Sequence, residues 1–144
     1  DVVLYDDVDP LLIAAYAAQP ASLSPIGAMR GAIRDVFTRL PAAEMAQQWD
    51  RGRLVMEVPE LRMRMLDQVA QAVQLIADLL AQRVARPPDD PEVYMCAGAI
   101  IGVLLSALMA GIQDPHADLL ALMDASLAYL EAGLPLASTR PRPS

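Results

Sequence analysis

The stretch VYMCAGAIIGVLLSALMAGIQ, residues 93–113, decides how the fold is interpreted, because none of its residues is charged. An apolar helix of this length either spans a bilayer or is covered on all sides in a soluble protein. Gly98 and Gly102 form a G-x-x-x-G step, which lets two helix backbones approach closely and also occurs in membrane helix dimers. The stretch therefore leaves two alternatives, a membrane-spanning helix and a helix buried in a dimer.

The surroundings of this stretch favour the buried dimer helix. Residues 87–92, PPDDPE, precede it and Asp114 and His116 follow it, so these flanks lack the Lys and Arg residues that set membrane topology. The neighbouring segments are amphipathic, and their wide apolar faces need an apolar partner. We therefore predict a homodimer that does not associate with a membrane. The predicted interface positions are Gly98, Gly102, Leu105, Met109, Ala117, Ala121, Ala125 and Ala128.

Proline residues indicate where the helices begin. A capping side chain precedes a proline at Asp9-Pro10, Ser24-Pro25, Asp90-Pro91 and Asp114-Pro115, and such a proline is well tolerated at the first helical position. Leu40-Pro41 and Val58-Pro59 mark two further breaks, because proline disfavours the helical conformation of the residue before it. No segment alternates like a strand. The sequence predicts an all-α fold in one domain, residues 1–134, followed by a mobile Pro-rich tail, residues 135–144. The predicted helices are 10–18, 25–39, 42–56, 59–85, 91–112 and 115–132.

Composition and residue types argue against several functions. The net charge of -7 over 144 residues leaves no basic face to displace counterions from nucleic acid. Cys96 and His116 are the single Cys and His, so we expect no metal site and no cofactor. The acidic residues in 6–9 have no neighbouring base or nucleophile, and we do not expect an enzyme.

A family resemblance rests on residues 49–62, WDRGRLVMEVPELR. This run resembles the R-x-x-L-x-x-x-x-P-E-L-R junction of many tetracycline-repressor (TetR) family members. Residues 1–5, DVVLY, resemble the sequence that follows the helix-turn-helix in that family. Residues 97–102, AGAIIG, followed by a Leu- and Ala-rich helix, resemble its dimerisation pair.

The resemblance implies a cytoplasmic transcriptional regulator, usually a repressor, whose C-terminal half binds a small effector and dimerises through its last two long helices. The DNA-binding domain would precede Asp1, so operator DNA would be contacted through residues outside this sequence. Two alternatives remain from the residues themselves. One is a helical dimerisation module without a ligand, and the other is a membrane-anchored helical fragment.

An apolar or amphipathic effector is suggested by methionines and aromatics on the middle helices, since methionine adapts its shape to a ligand. The same pattern also fits ordinary core. Gln68 and Tyr94 are the expected polar contacts, whereas Arg53 is expected to pair with Glu57 one turn on. Gly52 and Pro59 make residues 49–59 the expected moving segment. The candidate effector-binding residues are Met29, Ile33, Phe37, Met45, Trp49, Met56, Met65, Gln68, Tyr94 and Met95.

Overall fold

The computed structural model describes residues 9–40, 42–114 and 116–137, which form six α-helices and, within these ranges, no strand. The predicted all-α fold is confirmed. The helices are α1 (Asp9–Ala17), α2 (Pro25–Arg39), α3 (Ala42–Glu57), α4 (Pro59–Val84), α5 (Pro91–Gln113) and α6 (Leu119–Glu131).

Three of the predicted helix starts follow from the local chemistry identified in the sequence. The Ser24 hydroxyl accepts a hydrogen bond from the Gly27 N–H at 3.0 Å, and the Asp90 carboxylate accepts one from the Glu92 N–H at 2.9 Å. Each side chain thereby satisfies a backbone donor that has no partner inside the helix. Val58 adopts an extended conformation and separates α3 from α4.

The predicted start of the last helix is wrong by four residues. We expected a helix from 115 capped by Asp114, but α6 begins at Leu119 and is capped by Asp118, which accepts from the Ala121 N–H at 3.1 Å. Asp114 instead accepts from the His116 N–H at 3.0 Å and forms a turn. The apolar face that stabilises the helix starts only at Leu119, so Ala117 lies in the connection before α6.

The core lies where α5 packs against α4 and α6, and where α2 packs against α1 and α6. Its largest fully buried side chains are Met29, Ile100 and Leu127, one each from α2, α5 and α6. Burial of apolar side chains such as these is the main favourable contribution to folding. The core is therefore concentrated at the α2, α5 and α6 side of the molecule.

A second region, formed by α3 and residues 59–75 of α4, is packed much more loosely. We call it the α3–α4 arm, and α3 makes most of its contacts with α4. Val55 is its one described buried residue. Leu54 is 53% exposed, Met63 74% and Leu66 69%, so much of the apolar surface of the arm is uncovered within this chain.

The Arg83 side chain ties the connection between α1 and α2 to the end of α4. Its guanidinium donates hydrogen bonds to the carbonyls of Pro20 and Leu23 and lies 5.6 Å from the centre of the Tyr16 ring. Burial raises the pKa of Tyr16 to about 12, while Arg83 acts in the opposite direction. Three elements are thus joined by one side chain.

Candidate effector site and dimerisation face

The candidate effector residues on α2 belong to the main core. Met29 has no exposed surface and Ile33 is 6% exposed, while Phe37 is half-buried and packs against the same cluster. A fully packed core side chain contacts a ligand only if neighbouring side chains move aside. Contact between an effector and Met29 or Ile33 would therefore require the core to rearrange.

The candidates on the α3–α4 arm are arranged differently. Met56 on α3 and Met65 and Gln68 on α4 are each half-buried, and α3 packs against α4. Met65, Gln68 and Ala72 recur at helical spacing on one face of α4. Met45 and Trp49 fall within α3, but their side chains lie outside the described part of the structure.

Tyr94 and Met95 are not brought together with the other effector candidates. Their side chains are 43% and 65% exposed near the start of α5, whereas Met29 is buried in the core. Because α5 is apolar on every side, its sequence gave no signal for which side faces inward. Both residues lie one turn before Gly98, on the outer side of the helix.

The outer side of α5 carries the predicted dimer stripe. A methyl group built at Gly98 or Gly102 would meet no atom within 4 Å, so both glycines face open space in this chain. Leu105 is half-buried and Met109 is 51% exposed, and the four positions recur at spacings of four, three and four residues. They therefore form one straight stripe along the helix.

The adjoining surface of α6 carries the alanine positions. Ala121 and Ala125 are exposed, and Ala128 is half-buried. Ala117 is half-buried in the preceding connection rather than on the helix. Since α6 packs against α5, the exposed alanines and the glycine stripe lie on neighbouring helices. We call the surface formed by the α5 stripe and by these alanines of α6 the α5–α6 face. Its residues are Gly98, Gly102, Leu105, Met109, Ala121, Ala125 and Ala128.

The exposure of α5 is large for such an apolar helix. It is the one helix of the described ranges that is long and apolar enough to cross a membrane, with a mean hydropathy of 2.3 over its most apolar window. Only 22% of that window is buried within the chain. The other residues of that window are half-buried or exposed within this chain.

A polar seam holds α6 against α2. Arg30 donates to both carboxylate oxygens of Asp124, through Nε at 3.0 Å and Nη2 at 3.1 Å, and Arg34 adds a contact at 3.3 Å. The hydrogen bond from Arg30 is the main reason that the pKa of Asp124 is lowered. This seam was not predicted, although Arg30 and Arg34 share one face of α2 and could have indicated an acidic partner.

The seam continues to the end of α6. The Ser24 hydroxyl donates to Oε2 of Glu131 at 3.2 Å while accepting from the Gly27 N–H. Glu131 thereby places a negative charge beside the N-terminus of α2, where the helix dipole favours it. Contacts at Ser24 and Arg30, nearly two turns apart, thus connect α6 to α2.

The expected ion pair between Arg53 and Glu57 does not form, and that prediction is wrong. Within the described residues, the Arg53 Nε is the one buried side-chain nitrogen or oxygen atom without a hydrogen-bond partner. The i, i+4 spacing correctly placed Glu57 near Arg53 along the helix. It did not show that the Nε of Arg53 is buried by packing. A buried, unpaired donor of this kind was not visible from the sequence.

An open groove of about 360 Å³ lies at the C-terminal end of α4. Arg86 lines this groove and forms ion pairs with Glu92 at 2.7 Å and with Asp90 at 3.7 Å. Burial raises the pKa of the Cys96 thiol, which keeps that group neutral and weakly nucleophilic. None of the ten candidate effector residues lines this groove. Its lining is Pro25, Leu80, Val84, Arg86, Glu92, Val93 and Cys96.

The fold described above is that of a TetR-family C-terminal domain, and the chain belongs to that family. Within the family, residues 23–135 match the family model described as the MftR C-terminal domain. The match extends from the residue before the α2 cap to beyond the end of α6, and it confirms the resemblance drawn from residues 49–62. A comparison with curated proteins finds no match to this chain.

Proposed function

We propose that this chain is the effector-binding and dimerisation part of a ligand-responsive transcriptional regulator, a repressor that acts in the cytoplasm as a homodimer. Operator DNA is bound by an N-terminal helix-turn-helix domain that precedes residue 1. The chain itself, with a net charge of -7, contributes regulation rather than DNA contact or catalysis.

The observation that carries this proposal is the α5–α6 face. Packing inside the chain does not require glycine at 98 or 102, because a methyl group at either position would meet no other part of the chain within 4 Å. Glycine in a helix interior is unfavourable by roughly 0.5–1 kcal/mol relative to Ala, so two of them in one helix need a compensating contact. Close approach of a second α5 supplies that contact and covers Met95 and Met109.

The effector site lies in the α3–α4 arm, where apolar side chains are only partly covered. Gly52 of α3 lies against α5, since a methyl group at Gly52 would be 4.0 Å from Cδ1 of Leu108. An apolar or amphipathic molecule between α3, α4 and this part of α5 would cover Met56 and Met65. Binding there favours one position of α3 over another, which is the requirement for a switch.

Light scattering on the purified chain tests the dimer. We expect a dimer at micromolar concentration, and we expect Gly98→Leu to shift it to monomer by separating the two helices. Ala70→Leu, which adds the same side chain at an exposed position of α4, is the matched control and remains dimeric. A monomeric wild type, a dimeric Gly98→Leu or recovery only in detergent contradicts the proposed interface.

Operator binding by the regulator with its N-terminal domain tests the switch. We expect an apolar effector to release the operator and to change the emission of Trp49, the single tryptophan of the chain. The isolated chain binds no duplex DNA in a gel-shift assay at moderate salt. Clear binding by the isolated chain, or release of the operator by no member of a broad apolar panel, contradicts the proposed function.

A further inference from the structure

The starting observation is the guanidinium of Arg53. Its Nε is buried and has no hydrogen-bond partner, and Arg53 makes no ion pair with any described acidic residue. Arginine remains protonated in proteins, so this group cannot remove the mismatch by losing its charge. Buried donors are nearly always paired, and an unpaired one needs an acceptor supplied from elsewhere.

Arg30 shows how the same group is satisfied in this protein. Its Nε and Nη2 form one edge of the guanidinium and hold the two oxygens of Asp124 at 3.0 and 3.1 Å. Two parallel bonds of this kind are the preferred arrangement between a guanidinium and a carboxylate. In Arg53 the Nε of the same edge is buried, but no carboxylate accepts a hydrogen bond from it.

The residues around Arg53 indicate the chemical class of the molecule that would supply the hydrogen-bond acceptor. Arg53 is half-buried in α3, next to Gly52, which lies against Leu108 of α5. Across the same arm, α4 contributes the half-buried Met65 and Gln68. These side chains offer an apolar lining with a single positive charge and one amide.

We propose that Arg53 binds the carboxylate of an amphipathic organic acid whose apolar body lies between α3, the N-terminal half of α4 and the C-terminal half of α5. This inference rests on the proposed effector function and specifies the chemical class of the effector. One guanidinium neutralises one carboxylate. A phosphate dianion would leave a negative charge uncompensated in an apolar site, which is unfavourable.

A set of ligands with one chain length tests the head group. Octanoate, methyl octanoate, octylamine and octyl phosphate are titrated into the purified dimer, and binding is followed by Trp49 emission and by the shift in melting temperature. We expect octanoate to bind about tenfold or more tightly than the methyl ester, because the ester cannot form the two charge-assisted hydrogen bonds. Octyl phosphate binds more weakly than octanoate, and octylamine binds most weakly.

Arg53→Gln tests the residue, with Arg62→Gln on the exposed side of α4 as the matched control. We expect Arg53→Gln to bind octanoate and its methyl ester equally, with the ester affinity unchanged from wild type. Arg53→Lys recovers part of the preference, and Arg62→Gln keeps all of it. The melting temperature of ligand-free Arg53→Gln is equal to or above that of wild type, because a buried Nε donor without a partner has been removed.

Three results would overturn the inference, and one of them would also overturn the proposed function. If octanoate and its ester bind wild type equally, or if Arg53→Gln keeps the preference, the assignment to Arg53 fails while an effector site remains. If none of the four molecules binds and no broader apolar panel releases the operator, the inference and the proposed function both fail. A lower melting temperature for ligand-free Arg53→Gln assigns Arg53 a structural role and also overturns the inference.

Discussion

The two halves of α4 differ in how completely they are covered. Residues 76–81 include five buried positions, and they pack into the core shared by α2, α5 and α6. Residues 59–75, on the same helix, contain none. The sequence pattern of the two halves is similar, so the difference lies in what packs against them.

The covered and the open part of α4 have different physical properties within one domain. The covered half belongs to a region whose side chains interlock, where any change of volume is unfavourable. The open half belongs to the α3–α4 arm, which has few buried contacts and can rearrange at low cost. The following experiments test this difference, and three of them compare a residue outside the arm with one inside it.

The largest contrast is expected from truncating apolar side chains. Leu127→Ala removes a fully buried side chain from the core and should lower the free energy of unfolding by about 3 kcal/mol. Met63→Ala, at a position that is 74% exposed, should change it by less than about 0.5 kcal/mol. Urea unfolding at one fixed protein concentration measures both. Equal losses would show that the arm is covered in solution as fully as the core.

A smaller effect is expected at the polar seam. Asp124→Asn weakens the contacts from Arg30 and Arg34, and because the pair is partly exposed we expect a loss of about 1 kcal/mol at neutral pH. Asp67→Asn on the exposed side of α4 removes the same charge and serves as the control. A loss no larger than that of the control would show that the seam does not stabilise the fold.

The pH dependence of this effect has a definite sign. The pKa of Asp124 is lowered in the folded protein, chiefly by the hydrogen bond from Arg30, so the unfolded chain takes up its proton first as the pH falls. The stabilising contribution is therefore complete above the ordinary Asp pKa of about 3.9 and is lost as the pH falls from there through the lowered value. The difference between wild type and Asp124→Asn should shrink over that range. A constant difference would contradict the assigned cause.

The smallest contrast is expected between two glycines. Gly52→Ala in the arm should stabilise the protein by roughly 0.5–1 kcal/mol, since its methyl group has room beside Leu108. Gly31→Ala should be unfavourable despite the same gain in helix propensity, because the methyl group would collide with the Gln19 amide. That amide donates to the Ala15 carbonyl at 3.0 Å and to Asp35 at 2.8 Å.

Function and stability should separate at Gly52. We expect Gly52→Ala to require more effector for operator release, because a stiffer α3 resists the change of position. The melting temperature and the effector concentration at half release measure the two effects. A more stable variant with unchanged release would move the switch to another helix.

Most of the fold was predictable because helix boundaries depend on neighbouring residues. Ser24 and Asp90 act on backbone donors two or three residues away, and Val58 is constrained by the proline that follows it. The error at Asp114 has a local cause as well. Two aspartates four residues apart both resemble caps, and the start of the apolar face, not the proline, decides between them.

The candidate site was less predictable, because it depends on which side of each helix faces inward. The sequence analysis placed Met29 and Tyr94 in one candidate effector site, but the structure buries the first and exposes the second. The spacing of Arg53 and Glu57 suggested a pair on the helix surface, whereas tertiary packing buries the Arg53 Nε. Orientation of this kind comes from contacts between distant segments, which local spacing does not contain.

The contact of Arg83 with the α1–α2 connection has a mechanical consequence. Arg83 lies in the last turn of α4 and donates to the carbonyls of Pro20 and Leu23, so a rotation of that end of α4 would be passed to the base of α1. A nine-residue helix is about 13 Å long, and a tilt of about 5° at its base displaces its far end by about 1 Å. The far end is Asp9, where the chain leads towards its N-terminus. Through Arg83, a small rotation of the end of α4 would therefore displace the Asp9 end of α1.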